Sequence, residues 1–593
     1  MIDSDLVFAA DKLRGKGDMP GALTLYQRVY EQHQDDIKAL LLYADALIFC
    51  RQAHLSLQLL DDFSGAPQTF ANEYNATKAK ALLAVGRWPE SLEIFRKLVE
   101  RNPSWADGWN NYGCALRELN RDSESMTCLK KAIDLDRCHE SATIGLAQLY
   151  KKSGLFLEAC TLLQSFPDLH ESQKVIREVI PLLIKLDRIG EAFTYAQTLI
   201  SGGNENIDDS MLYARTIFLS GRINDYIDYL DSLGNQSWKG VSVASIAIGT
   251  LAESGKTATA NKRLTSHLEA YPTDVNARII QSRQYLSGGD FIKGWQSYAH
   301  RVRLPSNQIH FGQKQTWIGD ELKQRNVLVL GEQGIGDLCY FSRFLKPLIA
   351  GNSHCSILVE PRMVSLLESS FPGLTIFSNP KYIDFVPKPF IKIALGSLPL
   401  LYGNTQEEIQ RHFSPLKARR ADVLSMRSRI EKDSRHRFRV GISLNAGRPG
   451  DEYQRLKRSL PIRSVLEQLV GLPITLVDLQ HHGHPSEFAE TAKRLDIDVL
   501  SYPGLTQDIG LLAATISSLD LIVTAQQTNA HLTGALGKRG IVFLPPGCHF
   551  VYGDHGRSLW YPTLDLIRSP EWGKWDHTLL DELRTLIETD LLR

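Results

Sequence analysis

The stretch AKALLAVGRWPESLEIFRKLVERNP, residues 79–103, contains the pattern that decides the fold of the first half of the chain. Small residues, a glycine and large apolar residues recur after it at a fixed step of 34 residues. Four registers keep this step: Ala79, Gly113 and Ala147; Gly86, Asn120 and Gly154; Ser91, Ser125 and Ala159; and Phe95, Leu129 and Leu163. Chance rarely aligns four registers, so the pattern predicts a repeat architecture.

Each register has a physical interpretation in a helical hairpin. Small residues such as Ala79 and Gly113 lie where two helices approach closely. Gly86 and Gly154 end the first helix, where a positive φ is often needed. Pro103 follows the second helix and stops it. The pattern resembles the tetratricopeptide repeat (TPR), which has the same period, and it predicts an α-helical TPR solenoid.

The same register extends through residues 17–36, 255–272 and 288–301, but it is weak between about 170 and 240. In that weak region we expect degenerate repeats or repeats of another length. Such arrays present a concave face that usually binds a peptide or protein, so we expect the array to bind a protein partner. A purely structural spacer is the alternative. Candidate contact residues are Asn75, Lys78, Asn110 and Asn111.

Composition limits the class of protein. The length of 593 residues predicts more than one domain, and 67 basic against 67 acidic residues argue against nucleic-acid binding driven by bulk charge. We find no apolar run that approaches the length of a membrane span, and the N-terminus lacks the features of a secretory signal. We therefore expect a cytoplasmic protein. The eight cysteines include no C-x-x-C pair, so we expect buried free thiols.

After about Asn326 the hydrophobic period changes, and short β-rich runs alternate with helical stretches, as in a parallel sheet covered by helices. The predicted strands form two series: residues 327–331, 356–360, 374–377 and 391–395, then 438–444, 474–480, 498–502, 520–525 and 540–545. The two series predict an α/β domain with two facing Rossmann-like lobes. The expected domains are a TPR array at 1–305, a linker at 306–325, a first lobe at 326–435 and a second lobe at 436–593.

Open α/β sheets bind ligands beyond the carboxyl ends of their strands, and the polar motifs follow predicted strands. In VLVLGEQGIGDLCYFSRFLKPL, residues 327–348, Gly334, Gly336 and Asp337 lie between a strand and a helix. The glycines permit close backbone approach, and the start of a helix favours an anion. We expect Asp337 to be a general base that deprotonates an acceptor hydroxyl. A helix N-cap is the alternative role for this carboxylate.

The second motif, GISLNAGRPGDEYQRLKRSLP at residues 441–461, opens from a strand into a basic loop. Guanidinium groups offer bidentate donors to phosphate oxygens, so this loop favours phosphate binding. A solvated basic loop is the alternative. The candidate nucleotide-sugar ligands here are Ser443, Asn445, Arg448 and Arg458, with Gln480 at the end of the next strand.

The third motif, residues 517–546, delivers polar residues from a strand to the start of a helix. Free N–H groups at a helix start can bind an anion, so we expect ligand contacts from this turn. A structural histidine is the alternative for the last of them. The candidates are Gln526, Gln527, Thr528, Asn529 and His531. A fourth, loop-like segment at residues 547–562 can line a cleft or merely pack against the lobes.

These motifs together resemble a known family. The segments that carry the resemblance are EQGIGD at 332–337, RSLP at 458–461, AHLTGALG at 530–537 and WYP at 560–562. They resemble bacterial TPR proteins with a glycosyltransferase domain related to the lipopolysaccharide heptosyltransferases. The arrangement also looks like that of flagellin glycosyltransferases, in which the repeats recruit flagellin and the catalytic domain transfers a nonulosonic acid such as pseudaminic acid.

The resemblance implies a GT-B fold, metal-independent catalysis and a donor site in the second lobe. It assigns the role of catalytic base to Asp337. The implied activity is protein O-glycosylation, in which a sugar moves from a nucleotide donor, such as a CMP-nonulosonate, to a serine or threonine of flagellin. No further cofactor is implied. Asp496-Ile497-Asp498 has the letters of a metal motif, but it stands at the entry to a predicted strand.

The chain departs from the family at one place. Relatives commonly begin the third motif with Asp-Thr, whereas this chain has Gln526 and Gln527. The departure implies a donor other than ADP-heptose, and an amide suits an acidic sugar because it does not repel a carboxylate. Two alternatives stay open: a non-catalytic TPR scaffold with a degenerate transferase fold, and a transferase that acts on a lipid or polysaccharide acceptor.

Overall fold

A computed structural model describes residues 4–15, 17–63, 70–202, 206–304, 315–319, 321–332, 334–352, 354–435, 438–447, 451–480, 485–553 and 558–592. The chain divides into two compact units, Met1–Thr216 and Ile217–Arg593, and each is described by itself. Among the residues described, no helix is both long and apolar enough to cross a membrane.

The first unit is a series of helical hairpins, in which successive helices such as α5 with α6 and α7 with α8 pack together. Its helices are α1 (Ser4–Gly15), α2 (Met19–Gln32), α3 (Ile37–Phe49), α4 (Ala53–Asp62), α5 (Ala71–Ala84), α6 (Trp88–Arg101), α7 (Ala106–Glu118), α8 (Asp122–Leu135), α9 (Glu140–Lys152), α10 (Phe156–Gln164), α11 (Gln173–Lys185), α12 (Ile189–Ser201) and most of α13 (Ile207–Leu219).

The turn inside each hairpin contains a residue in the left-handed backbone region. These residues follow one another at nearly constant steps: Gly17, Arg51, Gly86, Asn120, Gly154, Asp187, Gly221, Gly255 and Gly289. Their φ angles lie between 56° and 84°. The prediction of a TPR-like solenoid is thereby confirmed. Where the sequence pattern is weak, the hairpins continue, and the step to Asp187 is one residue shorter than the usual period.

The small residues of the repeat permit a recurring contact between the two helices of a hairpin. The buried Ser91 hydroxyl donates a hydrogen bond of 2.8 Å to the Ala79 carbonyl, and Ser125 donates one of 2.7 Å to the Gly113 carbonyl. A Cβ atom added at Gly113 would lie 3.0 Å from Leu129 Cγ. Larger side chains at these positions would separate the helices and break the bonds.

The second unit opens with more helices of the same kind and then becomes α/β. Its helical part contains α14 (Ile223–Ser232), α15 (Val243–Glu253), α16 (Thr257–Ala270), α17 (Val275–Ser287) and α18 (Phe291–Tyr298), with a 3-10 turn at Ala299–Arg303. A short antiparallel hairpin of β1 (Ser237–Trp238) and β2 (Val241–Ser242) follows α14.

The first sheet is parallel and has the strand order β5-β4-β3-β6. Its strands are β3 (Asn326–Leu330), β4 (His354–Leu358), β5 (Thr375–Phe377) and β6 (Phe390–Ala394). The accompanying helices are Ile335–Phe341, Leu345–Gly351, Val364–Ser370, Pro399–Tyr402, Gln406–Arg411 and Arg420–Asp433. Because β4 and β6 flank β3 on opposite sides, the strand order reverses between β3 and β6.

The second sheet is also parallel, with the order β12-β11-β10-β7-β8-β9. Its strands are β7 (Phe438–Ser443), β8 (Ile474–Asp478), β9 (Val499–Ser501), β10 (Leu521–Ala525), β11 (Gly540–Leu544) and β12 (Leu564–Arg568). The accompanying helices are Glu452–Arg458, Ile462–Glu467, Pro485–Arg494, Ile509–Ser517, Thr528–Ala535 and His577–Leu591. Its order reverses between β7 and β10.

The last helix of the helical part belongs to the core of the second unit. Trp295 of α18 is 1% exposed, and its indole N–H donates a hydrogen bond of 2.7 Å to the carbonyl of Gly403. Its ring also contacts Phe341, Phe550 and Trp560 edge-on. Residues of α17 and α18 therefore share one hydrophobic core with the sheets.

Candidate functional site

The candidate site lies where helices that follow β3 and β10 meet. The helix Ile335–Phe341 packs against the helix Thr528–Ala535. At Gly336 an added Cβ atom would lie only 2.9 Å from Cδ2 of His531. Each helix starts just beyond the carboxyl end of its strand, so the contact brings polar residues of both sheets together.

The carboxylate of Asp337 is held by two donors. The backbone N–H of Gly334, the residue before the helix, donates to Asp337 Oδ2 at 3.1 Å. The hydroxyl of Tyr340 donates to Oδ1. Burial raises the pKa of Asp337, and these two hydrogen bonds oppose the rise. The N-cap position itself belongs to Gly334, and Asp337 bonds back to it from the third position of the helix.

Two histidines lie beside this carboxylate in an aromatic cluster. The Tyr340 hydroxyl is 3.4 Å from Nε2 of His549, and the Tyr561 hydroxyl is 3.4 Å from Nδ1 of His531. Burial lowers the pKa of His531 to about 3, and burial together with His531 lowers the pKa of His549 well below its usual value. Both imidazoles are therefore neutral at pH 7.

The predicted residues of the second sheet meet at the point where its strand order reverses. The Gln527 side chain donates from Nε2 to the carbonyl of Ser443 at 3.0 Å and to its hydroxyl at 2.5 Å. Gln480 Oε1 accepts hydrogen bonds of 3.1 Å from the backbone N–H groups of Leu444 and Asn445. Open sheets bind ligands at such a reversal point, so these residues surround the expected crevice.

Several buried polar atoms near these residues have no hydrogen-bond partner in the described part of the chain: Gln480 Nε2, Gln526 Oε1 and the hydroxyl oxygen of Tyr552. Gln526 is 2% exposed. A buried polar group without a partner costs free energy, so native proteins retain few of them. Unpaired amides beside the crevice suit a ligand with its own donors and acceptors.

Of the remaining predicted residues, Asn529 has a structural contact. The Asn529 side chain is buried and donates to the carbonyl of Leu479 at 3.0 Å, which ties the helix start to β8. Thr528 is half-buried at the first position of the helix. Arg448 lies outside the described residues.

Arg458 ends the helix Glu452–Arg458 and is half-buried. Burial lowers the pKa of its guanidinium. Its charge contributes to the lowered pKa values of His531 and His549. Arg458 therefore lies close enough to both histidines for its charge to act on them.

The corresponding crevice of the first sheet is filled by the protein itself. Arg301, from the turn after α18, forms a buried ion pair with Glu332, two residues after β3. The guanidinium also donates to Ser397 Oγ at 3.2 Å, and Glu332 Oε1 accepts a 2.8 Å bond from the N–H of Gly396 after β6. Glu332 of the EQGIGD motif thus occupies the point where the strand order of the first sheet reverses.

Sequence reasoning did not single out Tyr340, Arg343 and His549. Tyr340 and Arg343 follow Asp337 at steps of three residues, and residues so spaced lie on one face of a helix. Arg343 is buried, donates to the carbonyl of Trp560 at 2.9 Å, and has its pKa lowered by burial to about 10. The helical spacing was the available signal for both residues, whereas His549 comes from a distant loop.

The metal-like letters at residues 496–498 lie before β9, at its amino end. Asp498 Oδ2 accepts bonds of 2.7 Å from the Thr475 hydroxyl and 3.1 Å from the backbone N–H of Arg435. Its role there is to fix the strand entry. Within the described ranges, no group of three or more histidine, cysteine or acidic side chains is arranged to hold a metal ion.

Fold and site together define a class: a TPR-like helical-repeat protein whose C-terminal region carries two parallel sheets. No protein-family profile matches the sequence. A distant relative is "Protein FlbA" of Caulobacter vibrioides, which is 22% identical over 511 residues, covering 80% of this chain and 72% of FlbA.

Solved TPR structures also match parts of the chain. MamA is 18% identical, covers 27% of this chain and 94% of its own, and gives a TM-score of 0.23. A thermophilic TPR protein of Thermus thermophilus, TTC0263, is 16% identical, covers 36% of this chain and 98% of its own, and gives a TM-score of 0.25.

Proposed function

We propose that the chain is a GT-B-type glycosyltransferase that moves a sugar from a nucleotide donor to a hydroxyl of a protein bound by the helical repeats. Its two lobes would be residues 326–435 and 436–593. The observation that carries the proposal is the close approach at Gly336 and His531. This approach brings the buried carboxylate of Asp337, in the helix that follows β3, towards the point where the strand order of the second sheet reverses.

The donor would bind at the carboxyl edge of the second sheet. Support comes from the reversal between β7 and β10, from the Ser443–Gln527 contact there, and from the unpartnered amide atom of Gln526. Amides in place of an acid accept a sugar carboxylate without charge repulsion, which favours an acidic sugar such as pseudaminic acid on a CMP carrier. Arg458 would neutralise the nucleotide phosphate.

Asp337 would act as the general base. Its raised pKa makes the carboxylate a better proton acceptor than an ordinary aspartate. As the serine or threonine oxygen bonds to the anomeric carbon, the hydroxyl proton passes to Asp337. The bond from that carbon to the phosphate oxygen breaks, and its electron pair leaves with the nucleotide.

The acceptor would be flagellin, held by the TPR-like array. Arrays of this kind present an extended surface for protein partners, which raises the acceptor concentration at the cleft. Of the candidate contact residues, Asn110 is buried and Lys78 pairs with Asp61 at 2.5 Å. That leaves the half-buried Asn75 and Asn111 better placed to meet a partner.

The direct test mixes purified chain, flagellin and CMP-pseudaminic acid, and follows flagellin by intact-mass spectrometry. We expect a mass increase equal to one or more sugar residues, absent without the chain or the donor. A chain that binds flagellin but no nucleotide, as measured by calorimetry, would instead be a scaffold. Transfer to lipid or polysaccharide, with flagellin unmodified, would contradict the protein acceptor.

A further inference from the structure

The C-terminal end of helix α15 is fixed to the second sheet through its last residue. The carbonyl oxygen of Glu253 accepts hydrogen bonds from the N–H of Gly547 at 2.9 Å and from the indole N–H of Trp572 at 2.8 Å. A Cβ atom at Gly547 would lie 2.2 Å from the Glu253 Cα, so only glycine permits this approach. The helical part and the sheet are thus held closely enough to share a site.

The Glu253 carboxylate meets basic residues from both sides. It forms an ion pair with Lys457, and Arg283 of α17 approaches it with a 3.5 Å distance between Nη1 and Oε1. Lys457 Nζ also lies 3.7 Å above the ring of Tyr453. Although burial raises the pKa of Glu253, the charges of Lys457, Arg283 and Arg458 outweigh it and lower the pKa.

These charges do not balance. The charges of three cations act on the Glu253 carboxylate, and the further acid whose charge acts on Arg458 is Asp451. Burial lowers the pKa of Lys457 to about 8 and also lowers that of Arg458, so both charges are poorly solvated. Partly buried positive charge that exceeds its counter-ions is unfavourable, and an anionic ligand would relieve it.

Arg283 connects this basic cluster with the candidate base. Helix α17 packs against the short turn Phe550–Tyr552, which directly follows His549. The charge of Arg283 also acts on Asp337 and on His549. Its side chain is 52% exposed, so the guanidinium can turn from Glu253 towards a ligand without unpacking the core.

We propose that Arg283 is a ligand-contacting residue, which together with Arg458 binds the phosphate oxygens of the nucleotide donor. The helical part of the second unit then builds one wall of the donor site, in addition to any role in recruiting a partner. This inference rests on the proposed transferase function. The carboxylate of an acidic sugar also offers oxygen atoms that Arg283 can bind. The experiment below distinguishes this carboxylate from the phosphate of the nucleotide.

The test is calorimetric titration of the full chain with CMP, with inorganic pyrophosphate and with free pseudaminic acid. Charge-assisted hydrogen bonds of this kind correspond to about a tenfold to a hundredfold change in affinity. We expect R283A to weaken binding of CMP and pyrophosphate by this factor and R283K to weaken it less. Lys293→Ala, which removes an exposed cation of the next helix, is the matched control and should change neither.

A merely structural role for Arg283, through Glu253, predicts a different result. In that case R283A would have no further effect in a chain that already carries E253Q, whereas a direct contact predicts the full additional loss. Weaker binding of free pseudaminic acid alone would assign Arg283 to the carboxylate and overturn the phosphate contact.

Two outcomes separate this inference from the function on which it rests. CMP binding by the unaltered chain with no change in R283A overturns the role of Arg283 and leaves the transferase intact. An unaltered chain that binds neither CMP nor pyrophosphate overturns both. Circular dichroism of each variant checks that the fold is retained.

Discussion

At the residue scale, the two glycines of the first loop have different tasks. Gly334 supplies a backbone N–H to Asp337, and any residue other than proline can do so. Gly336 supplies space, because His531 occupies the volume that a Cβ atom would need. The site therefore needs a residue without a side chain at position 336. At position 334 it needs only a backbone N–H that points towards Asp337.

Gly336→Ala should destabilise the second unit by about 1–3 kcal/mol, the usual cost of forcing an extra methyl group into a packed site. Urea unfolding followed by tryptophan fluorescence measures the loss, since Trp295 and Trp560 lie in the same core. Gly351→Ala is the control, because nothing lies within 4 Å of its Cβ position. Equal stability of the two variants would contradict the close contact.

Asp337→Asn should reduce sugar transfer by about 10²- to 10⁴-fold, the range for loss of a general base, while donor affinity is retained. The carboxylate is the active form, so transfer should rise with pH through the raised pKa and then level off. Tyr340→Phe removes a bond that stabilises the charged form and should shift this rise to higher pH. Initial rates between pH 4 and pH 9 test both, and an unchanged rate in D337N would refute the assignment.

At the element scale, the sequence predicted the helical repeats, and it predicted nine strands to within two residues, because both depend on local pattern. The strand of the two parallel sheets that the sequence did not predict is β12, Leu564–Arg568, and the short β1–β2 hairpin was not predicted either. Charged residues lie near the start of β12 and at its end, and Asp565 pairs with Arg539, the residue before β11. It lies at the sheet edge and forms through its neighbour β11, which local pattern does not show.

The hairpin turns give a prediction at this scale. Asp187 has a φ of 60°, where a residue with a Cβ atom is strained, and most equivalent turns have glycine. Asp187→Gly should stabilise its hairpin by up to about 1 kcal/mol, and Gly86→Ala should destabilise its own by about the same amount.

Hydrogen exchange of peptides from α11–α12 and α5–α6 measures these changes in local stability. A change of about 1 kcal/mol should alter the exchange rate about fivefold. Gly190→Ala is the control, since Gly190 has no positive φ and no neighbour within 4 Å of its Cβ position. Faster exchange around Asp187→Gly would contradict the argument from strain.

At the scale of the whole molecule, the site consists of residues that are far apart in the chain. Local motifs indicated Asp337, Gln527 and His531, because each stands just after a strand. Glu253 and Arg283 belong to helices, and their place beside the sheets depends on contacts across more than 200 residues. Spacing within the sequence holds no signal for such contacts, so the site could be predicted only in part.

The buried histidines also couple the site to global stability. In the folded chain the pKa of His531 is about 3, and that of His549 is also far below its usual value. Between pH 3 and about 6.5 the unfolded chain therefore binds protons that the folded chain does not, so the free energy of unfolding must decrease as the pH falls. Each histidine contributes a slope of up to about 1.4 kcal/mol per pH unit.

The double variant His531→Gln/His549→Gln tests this coupling. Glutamine does not titrate, so the variant should lose less stability than the unaltered chain as the pH falls from 7 to 5, whatever its stability at pH 7. Urea unfolding at half-unit pH steps gives both curves, and their difference isolates the two histidines from every other titrating group. Parallel curves would show that the imidazoles are not held neutral in the fold, and that the cluster beside Asp337 is open to water.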